Sequence, residues 1–141
     1  NHFLVSAPLP ADGRWHFARA YWDNTAHNGR ISLDGVWLDS DAGVGTYVSD
    51  AAISLLLGKR GVGWYDFWKG GMGWIRISDT DRGGGATGTD FDPPPRATPP
   101  AIDANTIEQW NIDEGAGSTA AAQVNSPAND GTISGATWMK G

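Results

Sequence analysis

Hydrophobic and polar residues alternate with a period of two in several short runs, the pattern of strands with one covered face. The clearest run is Trp74-Ile75-Arg76-Ile77-Ser78, with Ile75 and Ile77 on one side and Trp74, Arg76 and Ser78 on the other. Residues 15–22, WHFARAYW, read the same way, with Trp15, Phe17, Arg19 and Tyr21 sharing a side. Two β-prone triplets, 31–33 and 36–38, flank Asp34-Gly35. That dipeptide tolerates the two positive φ angles of a type I′ turn, so a hairpin is predicted there. Apolar runs at 3–7 and 51–57 predict further strands, the second being of a length that also allows a short helix. Residues 106–112 and 132–138 predict the last two strands, with a polar small-residue loop over 113–131.

The breakers between these runs organise the chain. Asp12-Gly13 predicts a turn, 23–29 a polar loop and 39–45 an acidic turn. Residues 79–90 are polar and contain Gly83-Gly84-Gly85. Pro93-Pro94-Pro95 and Pro99-Pro100 then predict a stiff, extended segment. The chain therefore divides into a larger piece, 1–92, a proline-rich linker, 93–104, and a smaller piece, 105–141.

Composition sharpens this to an all-β class. Fourteen of the sixteen acids are Asp, and there are 20 Gly and 8 Pro. Asp, Gly and Pro favour turns, whereas Glu favours helices. A length of 141 residues suits one domain with its own core. Cysteine is absent, which removes disulfides, thiolate metal sites and thiol nucleophiles without bearing on secretion. The net charge of −6 argues against a nucleic-acid partner, which wants a basic stripe. No run of eighteen apolar residues is present, so no helix is expected to insert in a membrane. The chain opens at Asn1 without a recognisable signal segment, and is expected to be a processed or excised piece of something longer.

Arg14-Trp15-His16-Phe17 with Tyr21, followed by Ile31-Ser32-Leu33-Asp34-Gly35-Val36, resembles a hairpin of laminin-G-like domains, which belong to the concanavalin A-like lectin/glucanase superfamily. Gly73-Trp74-Ile75-Arg76-Ile77-Ser78 resembles the closing strand of such a domain, with Trp74 where an acid is common. Trp110-Asn111-Ile112-Asp113-Glu114-Gly115 through Asn129-Asp130-Gly131-Thr132 and on to Trp138 resembles its opening strand and loop. The end of one sandwich thus precedes the start of another, and the family's middle strands are missing. Two readings follow: a window across tandem repeats, or C-terminal strands that complete a sandwich in this chain or a neighbour. A strand with bare backbone groups is costly, and head-to-tail donation to a neighbour would build a filament. The resemblance implies an antiparallel jelly-roll β-sandwich. It also implies an extracellular or cell-surface setting, with a virion surface as the alternative.

The expected function is a non-catalytic module for adhesion or assembly, binding carbohydrate or protein or polymerising by strand complementation. The alternative is an accessory or degenerate domain of a glycan-active enzyme. Glycosidases need paired carboxylates, and the only glutamates, Glu108 and Glu114, fall in the opening strand and its loop. Trp64, Tyr65 and Trp68 lie in a Gly-flanked stretch and are candidates to stack on sugar rings, with Arg60 and Lys59 as hydroxyl donors. Packing in a core or interface is the commoner use of such aromatics. Trp15, Trp74, Trp110 and Trp138 are expected in the core. Calcium is a candidate cofactor on Asp113, Asn129 and Asp130, with Asp34, Asp39 and Asp41 as a separate acidic cluster. Capping of turns competes with calcium for all six, and is the more frequent role of Asp in such loops.

Overall fold

A computed structural model describes residues 10–42, 55–58 and 68–139, the side chains of Asp41 and Ala42 excepted. The described residues are strand-rich, all-β and without a helix. Their seven strands form three small sheets of three, two and two strands that do not join into one.

The first sheet is an antiparallel meander of β1 (Ala18–Asp23), β2 (Asn28–Leu33) and β3 (Val36–Ala42). Asp23 ends β1 by capping a turn, its Oδ1 accepting from the Thr25 and Ala26 amides at 2.8 and 2.9 Å. The β2–β3 turn is Asp34-Gly35, with φ of 50° and 87°, the two-residue hairpin that the dipeptide predicts. A Cβ on Gly35 would also run into the Phe91 carbonyl. The β2–β3 register pairs Ile31 with Asp39 and Ser32 with Trp37, which leaves Leu38 as a bulge. Arg19, Tyr21, Arg30, Ser32 and Trp37 consequently share one face, and Ala18, Ala20, Ile31, Leu33 and Val36 the other. The predicted acidic turn at 39–45 instead begins as strand, because β3 runs on to Ala42.

The first face is covered by the glycine-rich loop 79–91. Arg19 lies over the Trp37 and Phe91 rings, at 5.3 and 5.0 Å from their centroids. Phe91 donates its amide to the Gly35 carbonyl at 3.0 Å, and the Trp37 indole donates to the Thr89 carbonyl at 2.9 Å. Phe17 joins the stack, 6.2 Å from Phe91 and 5.6 Å from Trp74.

Trp74 leads into β4 (Ile75–Ser78), which pairs antiparallel with β5 (Thr106–Trp110) of the same chain, across the proline segment. Arg82 holds the end of that segment, its two terminal nitrogens on Asp103 at 2.5 and 2.7 Å. Arg76 reaches the Thr106 hydroxyl from β4. The last sheet pairs β6 (Thr119–Ala120) with β7 (Gly131–Thr132). The strand expected over 132–138 is thus confined to its first residue, and β6 sits inside the stretch expected to be loop.

The most enclosed residues are mostly polar. Among the described residues the buried hydrophobic side chains are Ala120 and Ala122, alongside buried Ser32, Thr106, Glu108 and Gln109. Trp15, expected in the core, is 45% exposed, and Trp74, Trp110 and Trp138 are half-buried. The indoles of Trp110 and Trp138 each donate to a backbone carbonyl, of Asn129 at 3.0 Å and Gly117 at 2.8 Å. Their polar edge anchors loops while part of the ring stays in water. The strand expected at 3–7 lies outside the described residues. So does the first part of the run at 51–57, whose described end, 55–57, is not strand and is exposed.

Candidate functional site

Three distant parts of the chain meet at Gly71. The Trp15 ring and the Met139 methyl lie against it so closely that a Cβ there would collide with both. Trp68 closes over the same turn, its indole donating to the Gly71 carbonyl at 3.3 Å and its amide to the Gly58 carbonyl at 2.8 Å. Met72 lies against Gly58. Trp15, Trp68, Met72 and Met139 are 45%, 46%, 37% and 60% exposed, so the cluster is a surface and not a core. Arg96 sits over the outer Trp15 ring at 4.4 Å. Aromatic rings and thioethers held in the open in this way suit a second surface, of protein or sugar.

His16 borders this surface between two carboxylates. Its Nδ1 is 2.7 Å from Asp34 and its Nε2 3.0 Å from Asp12. Those bonds, Asp34 first, raise the His16 pKa above its usual 6.5. The same bonds hold both aspartates below their ordinary value. Asp34 also accepts the Phe17 amide at 2.8 Å, so it serves the hairpin turn and the histidine together.

Two other carboxylates gather donors. Asp81 accepts the amides of Gly83, Gly85 and Ala86 at 2.9–3.1 Å and Arg19 at 2.7 Å. Burial alone would raise its pKa, but the Ala86 amide, Arg19 and the remaining amides outweigh burial and bring it to about 2. Glu108, 2% exposed, accepts six N–H groups at 2.9–3.3 Å. Four come from the amides of Gln109, Gln123, Val124 and Asn125, and two from the side-chain amides of Asn125 and Asn129. Desolvation is again the largest influence and is overcome by these bonds, which hold the pKa near about 2.

The candidate sugar-stacking residues divide. Trp68 is exposed in the cluster just described, while Arg60, Trp64 and Tyr65 lie outside the described residues. Of the calcium candidates, Asn129 donates to Glu108 at 3.0 Å and Asp130 accepts the Ala122 amide at 2.9 Å. Asp113 is exposed. Asp39 accepts the Ser40 amide at 2.8 Å. Among the described residues no three His, Cys, Asp or Glu side chains are grouped to hold a metal ion. Sequence reasoning missed Trp15, Met72 and Met139 as surface residues, and Glu108 as a buried centre. Only the glycines flanking Met72 hinted at the former.

No family model, curated protein or solved structure matches the chain.

Proposed function

We propose that the chain is a non-catalytic adhesion or assembly module of an extracellular, cell-surface or virion protein, whose small sheets belong to a concanavalin A-like β-sandwich. The observation that carries this reading is the exposed Trp15–Trp68–Met72–Met139 surface, assembled around Gly71 from segments far apart in sequence. A surface of that kind is costly to leave in water unless something covers it. Its occupant is a glycan or a protein face. Strand complementation between copies is the weaker form of assembly, because β5 already pairs with β4 of its own chain. Catalysis is disfavoured by the state of both glutamates: Glu108 is enclosed by N–H donors, and Glu114 accepts the Ala121 amide at 2.6 Å.

Native particle mass by light scattering, run beside a glycan array, tests the reading. Self-association or glycan capture that is lost in Trp15→Ala and Trp68→Ala is expected. A monomer that binds no glycan or protein surface, or turnover of any polysaccharide, would overturn it.

A further inference from the structure

We propose a second site, separate from the Gly71 surface, in which Arg30 anchors one carboxylate-bearing sugar ring, a uronic acid, in the cleft between β3 and the glycine-rich loop. The cleft is open, about 270 Å³, and lined by Arg30, Trp37, Leu38, Asp39, Ser40 and Gly88. Strand register places Arg30 directly opposite Ser40, on the face that carries Trp37. Gly88 forms the facing wall, and a Cβ on it would strike the Arg30 guanidinium. Bare backbone at that position lets the loop hold the guanidinium flat.

Arg30 differs from the other arginines of the folded part. Arg19, Arg76 and Arg82 each pair with an aspartate. Arg30 makes no hydrogen bond or ion pair among the described residues, and its Nε is enclosed without an acceptor. A chain with 16 acids and 10 basic residues has left one half-buried cation unmatched. An enclosed N–H without an acceptor is destabilising, so the arrangement favours a ligand that supplies one. The planar fork of the guanidinium complements a carboxylate through two parallel bonds.

The ring follows from the rest of the lining. The Trp37 indole is fixed by its bond to Thr89 and by Arg19, and offers apolar surface for sugar C–H groups. The Ser40 hydroxyl both donates and accepts, as a sugar hydroxyl requires. No deep apolar slot is present for a peptide side chain, and the volume lies just below the roughly 300 Å³ at which drug-sized pockets begin. The sugar half of the proposal rests on the glycan-recognition reading above; the carboxylate half does not.

Amide and indole NMR shifts of the full chain, titrated with glucuronate, glucose and acetate, test it. Glucuronate should shift the Trp37 indole and the Ser40 and Gly88 amides saturably, with glucose and acetate far weaker. Arg30→Gln should weaken glucuronate by about tenfold or more, from the loss of a charged bidentate contact. Arg30→Lys, which keeps the charge and loses the fork, should fall between. The Tm of Arg30→Gln should stay level or rise, since an unsatisfied group is removed. Absent glucuronate shifts, or shifts indifferent to Arg30, overturn the site. Equal acetate shifts overturn the sugar. Glucose binding without dependence on Arg30 overturns this proposal and leaves the glycan reading standing. Glucuronate binding that Trp68→Ala abolishes and Arg30→Gln spares also overturns it.

Discussion

The meander with its covering loop and the C-terminal part around β5 are each organised by one carboxylate, and the two carboxylates work differently. Asp81 takes its amides from two to five residues away and its cation from Arg19 across the fold. It remains 30% exposed. Glu108 is buried, has no cation beside it among the described residues, and draws on donors up to 21 positions distant. Asp81 shapes a loop that rings of Phe17, Trp37 and Phe91 then hold against the sheet. Glu108 replaces an apolar core in a region whose strands are two to five residues long. A buried anion is tolerated when N–H dipoles point at it from every side, and such a centre fails as a unit when its charge is lost.

The sharpest way to break the comparison is Glu108→Gln. A side-chain amide keeps the shape but turns an NH₂ toward groups that are themselves donors. Equilibrium urea unfolding should show a loss of about 3 kcal/mol, the scale of a charged, buried hydrogen-bond centre. Acid should act the same way. With its folded pKa depressed, the contribution of Glu108 is full above the ordinary 4.5 and disappears as pH falls through about 2. A urea midpoint unchanged by Glu108→Gln would show that the C-terminal part is held by something else.

Asp81→Asn should cost less, about 1–2 kcal/mol, because water screens the Arg19 pair and can rescue the freed amides. Faster amide exchange confined to Gly85 and Ala86 is the accompanying sign. A larger loss than that of Glu108→Gln would reverse the comparison.

The smallest effect belongs to His16. Its pKa is raised in the folded chain, so its ties to Asp34 and Asp12 contribute fully below 6.5 and are lost as pH rises through the folded value. The His16 ring protons should titrate above 6.5, with a slight fall in Tm over the same range. A midpoint at or below 6.5 would remove the histidine from the account of the hairpin.

Local chemistry was legible and distant chemistry was not. Asp34-Gly35 announces its hairpin because a type I′ turn depends on the φ preferences of two adjacent residues. The alternation of Ile75 and Ile77 announces β4 for a similar reason. The run through Asp39 and Asp41 misleads, since aspartates are depleted in strands, yet β3 is the edge strand of the meander and carries them. Glu108 looked like an ordinary strand residue. Nothing within a few positions of it reveals that Gln123, Val124, Asn125 and Asn129 will fold over it. The exposed rings of Trp15 and Trp68 were equally hidden, because burial is decided by what arrives on the other side.

By itself, then, the order of residues determined the all-β character, the turns and the strand faces, all set by torsional preference and short-range hydrogen bonds. Only the tertiary structure decided that a carboxylate would be the most enclosed large side chain, that tryptophan and methionine would gather outside around Gly71, and that Arg30 would be left without a partner. Those outcomes depend on pairings such as β4 with β5, made between groups about thirty positions apart, where loop closure and solvation rather than local propensity choose the partner.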